Sequence, residues 1–246
     1  MISNDSLHRG VFFAVSTGPG KPELLTVEAL DVLLRCPVIA YPQTGGGTHA
    51  FDTVRRAIDV GGKILVPVRF QMSHQSLSPY DSYGELVGTC SSYLDAGKDV
   101  AFVSVGDVSL YSSAGTLLQL LKTKGYEVRA VAGVNAFSAA ACACALDVAD
   151  ADSPVSIIPG DASYKSGKID AMLAQPGTKI FMKMNRHLKE CVESVVRAGL
   201  IESAVLVQRC SLPGERILSG KALLALPEEI LAASYLSVLI VRGQEG

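Results

Sequence analysis

The amino-acid sequence predicts an α/β protein with two domains. Short apolar runs alternate with amphipathic stretches along most of the 246 residues, which is typical of strands that alternate with helices. Several runs are apolar at every position, as expected for strands of a parallel sheet that is covered on both faces. Apolar residues make up 48% of the chain, so a sizeable core can form.

The first half of the chain predicts a doubly wound, mainly parallel sheet. Strands are predicted at residues 11–15, 38–41, 63–68, 100–105 and 127–131. Helices are predicted at residues 22–34, 49–60, 83–96 and 112–124, joined to the strands by short connections. The segment 70–83 is polar and rich in turn-forming residues, so we expect an exposed loop there.

The second half predicts a further α/β domain. It opens with a helix at residues 136–146, and strands are predicted at 155–158, 179–183, 204–208 and 235–241. Helices are predicted between them at 167–174, 188–198 and 223–231. A glycine turn at Ala132-Gly133 is the predicted boundary, which gives domains 1–131 and 132–246.

Composition limits the classes of partner. The net charge of −2 and the pI near 6.1 argue against general affinity for nucleic acid. No apolar run approaches the roughly 18 residues that a membrane span requires. The first ten residues are polar and lack a signal-peptide pattern, so we expect a cytoplasmic protein.

The cysteines and histidines do not predict a metal site. Six cysteines stand in apolar surroundings without a CxxC pair, and we expect buried, reduced thiols. The histidines show no ligand spacing. They are His8, His49, His74 and His187.

The most informative motif follows the first predicted strand. The segment from Gly10 to Leu34 reads GVFFAVSTGPGKPELLTVEALDVLL. Its apolar run ends at Ser16, a tight turn Gly18-Pro19-Gly20 follows, and Pro22 suits the first position of a helix. Glycine turns at the carboxyl ends of parallel strands are where open α/β sheets bind ligands, although a plain connection has the same pattern.

Two later motifs repeat this arrangement. Gly106-Asp107 follows the strand predicted at 100–105, and Gly133 follows the strand predicted at 127–131. If these strands are parallel, the three turns face one crevice. Asp107 could bind a ligand there, or it could cap the next helix as Asp often does.

The ordered set of motifs resembles the tetrapyrrole methylases, the S-adenosylmethionine enzymes of the siroheme and cobalamin pathways. The motifs of that family are GxGPGDPxLLT, GDPxxY and PGxSS, and the corresponding segments of this chain are STGPGKPELLT, GDVSLY and AGVNA. The chain departs from these motifs at a few positions. Ser16 stands in place of the first glycine, and Lys21 stands in place of an aspartate. Val108 and Ala132 each replace a proline, and Asn135-Ala136 replaces a pair of serines.

The resemblance implies a methyltransferase with the family's fold: two α/β domains, the first sheet mainly parallel and the second mixed, with the active cleft between them, and a homodimer. It implies S-adenosyl-L-methionine as cofactor and S-adenosyl-L-homocysteine as product. Carried over position by position, the residues implied to bind the cofactor are Pro19, Gly106, Asp107, Asn135, Ala136, Lys183, Met184 and Arg209.

Within the family, the chain is most similar to the branch that methylates C-20 of precorrin-2 or of cobalt-factor II. The segments that suggest this branch are Phe70–Ser73, GDVSLYSS, Ile157–Pro159, Phe181–Met184 and Tyr235–Ser237. The implied substrate is a macrocycle with many carboxylates, so basic and polar side chains should surround it. The candidates are Lys21, Arg69, His74, Tyr111, Arg186 and Arg216, although each charge could also be a solvated surface group.

The implied reaction assigns the protein a limited chemical task. The sulfonium cofactor brings its own electrophilic methyl group, so the protein must align it with the carbon nucleophile in a dry cleft. It must also accept the proton that this carbon loses. The candidate catalytic groups are Asp107, Lys183 and Tyr235, although a cap, a solvated lysine and a core aromatic are their plainer interpretations.

Three alternatives remain open from the sequence. The first is a methylase of the same fold that acts on uroporphyrinogen or another corrinoid carbon. The second is a protein that binds S-adenosylmethionine without turnover, which the motif departures suggest. The third is an unrelated nucleotide-binding α/β enzyme.

Overall fold

The structure is a computed structural model, and it describes residues 8–43, 47–69, 79–184, 186–226 and 236–243. The chain divides into two compact units, Met1–Asn135 and Ala136–Gly246. We call them the N-terminal unit and the C-terminal unit. Each is described by itself below.

The N-terminal unit alternates strands with helices. Its strands are β1 (Phe12–Ser16), β2 (Val38–Pro42), β3 (Ile64–Val68), β4 (Val100–Ser104) and β5 (Val128–Val131). Its helices are α1 (Val27–Arg35), α2 (His49–Ala57), α3 (Pro79–Asp95) and α4 (Ala114–Thr123), and a short 3-10 helix spans Pro22–Leu24.

The sheet of this unit has the order β3-β2-β4-β1-β5, and all of its pairings are parallel. Strand β1, which lies between β4 and β5, is buried along its whole length, and its successive side chains enter two different cores. Phe12 packs with Phe102 on one face, and Phe13 packs with Val103 on the other. This explains why the strand is apolar at every position.

The single helix predicted at residues 22–34 is divided in two. Thr26 lies between the 3-10 helix and α1 in an extended conformation, and its hydroxyl accepts a hydrogen bond from the backbone N–H of Ala29 at 3.1 Å. The same hydroxyl donates to the carbonyl of Ala132 at 3.1 Å. A Thr N-cap therefore sets the start of α1.

The prediction of a loop at residues 70–83 is wrong for its last part, because helix α3 already begins at Pro79. Residues 70–78 lie outside the described residues.

The C-terminal unit contains five strands and four helices among the described residues. The strands are β6 (Val155–Pro159), β7 (Thr178–Met182), β8 (Ala204–Gln208), β9 (Arg216–Ser219) and β10 (Ser237–Val241). The helices are α5 (Ala136–Ala143), α6 (Gly160–Lys165), α7 (Ile169–Leu173) and α8 (Leu188–Arg197), with 3-10 turns at Ile201–Ser203 and Gly220–Ala225.

The sheet of this unit has the order β6-β7-β10-β8-β9 and is mixed. Only β6 and β7 are parallel, while β10 runs antiparallel to both β7 and β8. A core that includes Phe181, Leu206 and Leu239 packs against helix α8. The predicted α/β class, with one parallel and one mixed sheet, is confirmed.

Two elements of this unit are missing from the sequence prediction. Strand β9 is mostly exposed and lacks an apolar pattern, and helix α6 has only six residues. The helix predicted at 223–231 is a 3-10 turn over Gly220–Ala225 where it is described, and residues 227–235 lie outside the described residues.

The thiols agree in part with the expectation of burial. Burial raises the pKa of the Cys36, Cys90 and Cys191 thiols to about 12. The expectation is wrong for Cys142, which is exposed because it lies near the end of the short helix α5. No described helix is long and apolar enough to cross a membrane.

Candidate functional site

The three glycine turns of the N-terminal unit meet at one edge of its sheet. Strand β1 lies between β4 and β5, and the three are parallel, so their carboxyl ends lie side by side. Beyond those ends, Gly18 and Gly106 exchange two backbone hydrogen bonds, at 3.2 and 2.8 Å, and form an isolated antiparallel bridge. The turns after β1 and β4 are therefore joined to each other.

Ser16 joins the ends of all three strands. Its buried hydroxyl donates to the carbonyl of Val131 at 2.6 Å and accepts from the backbone N–H of Val108 at 3.0 Å. A Cβ atom added to Gly133 would lie 2.3 Å from the Cβ of Ser16, so only glycine fits there. The sequence marks Ser16 as a departure from the family pattern but does not reveal this bridging role.

Asp107 holds the turn after β4 against the turn after β5. Its Oδ2 accepts from the backbone N–H of Gly133 at 2.7 Å, and its Oδ1 accepts from the backbone N–H of Ser109 at 2.8 Å and from the Ser109 hydroxyl. Burial acts to raise the pKa of Asp107, but these hydrogen bonds outweigh it and leave the pKa below its usual value. The Asp107 carboxylate is therefore ionised, and its hydrogen bonds join the loop after β4 to the loop after β5.

There is open space beside the Gly106 backbone. Gly106 has φ +75°, and among the described residues, apart from Gly106 and its two chain neighbours, no heavy atom lies within 4 Å of the position that a Cβ would occupy. Tyr111, further along the same loop, is partly exposed and takes the left-handed conformation at φ 50°, which is costly for a residue other than glycine. The loop after β4 therefore contains both the open space beside Gly106 and the strained backbone of Tyr111.

The other predicted residues of this unit follow strand ends of the same parallel sheet. Pro19 is buried in the turn after β1, and Lys21 is exposed at the start of the 3-10 helix. Arg69 is exposed directly after β3. Asn135, the last residue of the unit, is half-buried, and His74 lies outside the described residues.

The C-terminal unit brings three predicted cations to one edge of its own sheet. Lys183 follows β7, Arg209 follows β8, and Arg216 begins β9 opposite Gln208. Lys183 and Arg209 flank the start of β10, because β10 pairs with both of their strands. The sheet order therefore places these residues along one edge.

Two of these cations have a strained backbone. Lys183 has φ 56° and Arg209 has φ 52°. The Arg209 backbone N–H donates to the carbonyl of Leu236 at 2.8 Å, and its Nε donates to the carbonyl of Pro213 at 2.9 Å. The Lys183 side chain is exposed in part, yet the atoms around it displace enough water to lower the pKa of its ammonium group.

The remaining predicted residues of the C-terminal unit differ in accessibility. The Met184 side chain is fully buried in the core, so only its backbone could contact a ligand. Arg186 is exposed, and Ala136 is the first residue of α5. Tyr235 lies outside the described residues.

Asp161 is a further polar residue that the sequence analysis did not single out. It lies in the first turn of α6, directly after β6, and its Oδ1 accepts from the backbone N–H groups of Arg186 and His187, both at 3.1 Å. The His187 ring stacks on Tyr164, with ring centroids 4.4 Å apart. A Gly-Asp pair after a strand is the only signal that could have pointed to Asp161.

Comparison with known proteins agrees with these motifs. The profile of the family described as Tetrapyrrole (Corrin/Porphyrin) Methylases matches residues 11–223. The chain is 28% identical over 209 residues to a cobalt-precorrin-2 C(20)-methyltransferase of Salmonella typhimurium, covering 84% of this chain and 86% of that protein. It is 27% identical over 243 residues to a precorrin-2 C(20)-methyltransferase of Sinorhizobium sp., covering 95% of this chain and 96% of that protein.

A longer relative matches over part of its length. The chain is 29% identical over 219 residues to the cobalamin biosynthesis protein CobIJ of Mycobacterium tuberculosis. That match covers 85% of this chain, but the chain spans only 42% of CobIJ.

Solved structures resemble the fold. A cobalt precorrin-4 methyltransferase, CbiF, superimposes with a TM-score of 0.73 at 20% identity, covering 94% of each chain. A uroporphyrin-III C-methyltransferase from Thermus thermophilus, complexed with S-adenyl homocysteine, has a TM-score of 0.65 at 20% identity, covering 96% of this chain and 97% of that one. The family profile spans most of the chain and includes all three glycine turns, so the protein belongs to the tetrapyrrole methylase family.

Proposed function

We propose that this protein transfers a methyl group from S-adenosylmethionine to C-20 of precorrin-2 or cobalt-factor II, a step in building the corrin ring of cobalamin. The observation that carries this proposal is the pair of relatives named for C-20 methylation, which align with 84% and 95% of the chain. Family membership supports the methyltransferase activity, and the branch-like segments support the carbon.

The residues present fit the proposed cofactor. The space beside Gly106 lets a ligand approach the backbone, as expected where glycine is needed for close contact. Positive charges on the C-terminal unit suit the carboxylate of the cofactor's methionyl part. We propose that the cofactor contacts are made by Pro19, Gly106, Asp107, Asn135, Ala136, Lys183, Met184 and Arg209.

The task of the protein residues is to orient the reactants and to move one proton. Bound S-adenosylmethionine supplies an electrophilic methyl group, and the receiving carbon must be held in line with it at about 3–3.5 Å. Asp107 accepts three hydrogen bonds and has a lowered pKa, so it is a weak base and suits the holding of the glycine turns. Lys183, whose pKa is also lowered, and Tyr235 remain the proposed groups for proton transfer.

The catalytic role of Asp107 has its own test. We expect Asp107→Ala to lower turnover per folded molecule well beyond its effect on stability, as measured by initial rates normalised to the native fraction. Wild-type turnover per folded molecule would leave Asp107 as a structural residue only.

We propose that basic and polar side chains bind the carboxylates of the macrocycle. They are Lys21, Arg69, His74, Tyr111, Arg186 and Arg216. Lys21 and Arg69 are exposed after parallel strands of the N-terminal sheet. Arg69→Glu should weaken substrate binding more than cofactor binding, and the difference should shrink as salt rises, because salt screens exposed charges.

Product analysis tests the proposed reaction. The protein is incubated with S-adenosylmethionine carrying a carbon-13 methyl group and with precorrin-2 or its cobalt chelate. We expect a tetrapyrrole that is heavier by one methyl group, with the label at C-20 by NMR. Label on a pyrrole-ring carbon would assign the chain to another branch.

Cofactor binding is tested separately from turnover. S-adenosylhomocysteine should raise the melting temperature, because a ligand that binds only the folded state stabilises it by about 2.7 kcal/mol at a concentration one hundred times its Kd. Calorimetry that shows no binding at millimolar ligand would remove the methyltransferase proposal.

Two other functions have specific support. Another tetrapyrrole carbon is supported by the 26% identity to a cobalt-precorrin-4 C(11)-methyltransferase of Priestia megaterium, over 83% of this chain. Cofactor binding without turnover is supported by the motif departures at Lys21 and Ala136. The labelled product distinguishes the first, and cofactor binding without any product identifies the second.

We also propose a homodimer, as the resemblance implies, and a cytoplasmic location. The location is supported by the six cysteines, which are all free thiols, as expected in a reducing compartment. Light scattering of the purified protein tests the dimer, since a monomer mass at micromolar concentration would contradict it.

A further inference from the structure

One residue holds both ends of the loop that follows β7. The backbone N–H of Asp161 donates to the carbonyl of Lys183 at 3.1 Å. The Asp161 Oδ1 accepts from the backbone N–H groups of Arg186 and His187, both at 3.1 Å. Three hydrogen bonds therefore join Asp161, in the first turn of α6, to the backbones of Lys183, Arg186 and His187.

The loop needs such support, because its first residue is strained. Lys183 has φ 56°, a left-handed conformation that is costly for a residue with a side chain. Strained backbone persists only where its surroundings determine it. The next side chain, Met184, is buried, and a Cβ on Gly160 would lie 2.5 Å from its Cγ. Gly160 and Asp161 together shape this loop.

A similar arrangement, in which the carboxylate of a Gly-Asp pair accepts backbone N–H groups from a loop, occurs in the N-terminal unit. Gly106-Asp107 follows β4, and the Asp107 carboxylate accepts a backbone N–H from Gly133, two strands away across the sheet. There the family motif includes the Gly-Asp pair, whereas no motif singles out Gly160-Asp161. In both units the carboxylate of a Gly-Asp pair that comes shortly after a strand accepts backbone N–H groups from a loop that carries proposed site residues.

We infer that Asp161 is a positioning residue for cofactor binding, acting through the backbone of the Lys183–His187 loop; this inference rests on the proposed function. The Asp161 oxygen holds the two amides, and the amides set the path of the chain that presents Lys183. Cofactor affinity therefore depends on an acceptor at position 161 rather than on its charge.

The test compares three variants of the full chain. Asp161→Ala removes the acceptor, whereas Asp161→Asn keeps one carbonyl oxygen that can accept both amides. Asp150→Ala is the matched control, because the Asp150 Oδ1 also accepts two backbone N–H groups, from Asp152 at 3.0 Å and from Ser153 at 2.8 Å. Asp150 precedes β6 and Asp161 follows it, so the control lies at the opposite end of the same strand.

Two measurements are made on each protein: the Kd for S-adenosylhomocysteine by calorimetry, and amide hydrogen exchange at Arg186 and His187. We expect Asp161→Ala to expose both amides and to weaken binding by about tenfold or more, which corresponds to about 1.4 kcal/mol. Asp161→Asn should restore both amide protection and affinity. Asp150→Ala should leave the affinity at the wild-type value.

The outcomes separate this inference from the function on which it rests. If Asp161→Ala exposes the amides and binds as tightly as wild type, the positioning role is refuted. Persistent protection of the amides in Asp161→Ala would show that Asp161 does not hold the loop. If Asp150→Ala loses as much affinity for the ligand as Asp161→Ala does, the effect comes from a general loss of stability, and the positioning role is refuted. A wild-type protein that does not bind the ligand would refute the proposed function, and the positioning role with it.

Discussion

Two departures from the family pattern compensate for each other, and this can be measured. The pattern has glycine where this chain has Ser16 and proline where it has Val108. Proline has no backbone N–H, whereas the buried N–H of Val108 needs an acceptor, and the Ser16 hydroxyl supplies it at 3.0 Å. We therefore expect the Ser16 hydroxyl to matter most when position 108 is not proline.

The magnitude follows from the hydrogen bonds that are lost. Ser16→Ala leaves the buried Val108 N–H without its partner, at about 1–3 kcal/mol, and removes the bond to the Val131 carbonyl, at about 0.5–1.5 kcal/mol. We expect a loss of roughly 2–4 kcal/mol in the free energy of unfolding.

Proline is compatible with the backbone turn at position 108. The N–H of Leu110 donates to the carbonyl of Asp107 at 3.2 Å, which closes a four-residue turn with Val108 in its second place. Proline is favoured at that place. In a Val108→Pro background the donor is gone, so Ser16→Ala should cost only about 1 kcal/mol, and the coupling between the two sites is about 1–3 kcal/mol.

Urea denaturation of the wild type, both single variants and the double variant, followed by circular dichroism, measures this coupling. The matched control is Thr17→Val, which removes a neighbouring hydroxyl that donates to the carbonyl of Ser104 at 3.1 Å. Its effect should add to that of Val108→Pro. If the Ser16 and Val108 effects are additive within about 0.5 kcal/mol, the reasoning is refuted.

Further changes in the strand-end loops and the thiols have measurable outcomes. Gly133→Ala places a Cβ 2.3 Å from a side-chain carbon of the facing strand and should lower the free energy of unfolding in urea by about 1–3 kcal/mol; unchanged stability contradicts this. The lowered pKa of Asp107 means that its carboxylate stabilises the fold above its usual pKa of 3.8, and this contribution disappears as pH falls through the lower folded-state value. The stability gap between wild type and Asp107→Asn should therefore narrow from about pH 6 to about pH 3 in denaturation experiments, and a constant gap contradicts the role. Lys183→Gly should be more stable than Lys183→Ala by about 1 kcal/mol in thermal unfolding, since glycine relieves the left-handed strain; equal stability means that the strain is absent. A thiol reagent should modify Cys142 at once and Cys90 only after unfolding, and rapid modification of Cys90 contradicts its burial.

Buried strands could be predicted well from the sequence, and element ends less well. The strand predicted at 204–208 coincides with β8, because its apolar run ends where the sheet ends. The helix predicted at 22–34 has a continuous apolar period, but the hydroxyl of Thr26 can cap a helix from inside such a period. Strand β9 is short and three of its four side chains are exposed, so its sequence lacks the apolar run that indicates a buried strand.

The glycine turns of the candidate site could be predicted from the sequence, but the hydrogen bonds between those turns could not. Gly18, Gly106 and Gly133 are visible as strand ends in the sequence, and parallel pairing brings them together. The contacts of Ser16 and Asp161 depend on which strands are neighbours and in what register. That information comes from the packing of the whole sheet, so no local pattern contains it.

Strand β1 lies between two strands that come much later in the chain, and this has a consequence for the synthesis of the protein on the ribosome. Phe12 pairs with Val100 on one side and with Val128 on the other, about 90 and about 115 residues further along the chain. At an elongation rate of about 5–20 residues per second, the first strand is made roughly 6–25 seconds before its second neighbour. During that interval a wholly apolar segment has no native partner, and it is a natural target for chaperones. The turn that follows β1 is thus synthesised well before the strands that flank it, and it takes its final form only after they are made.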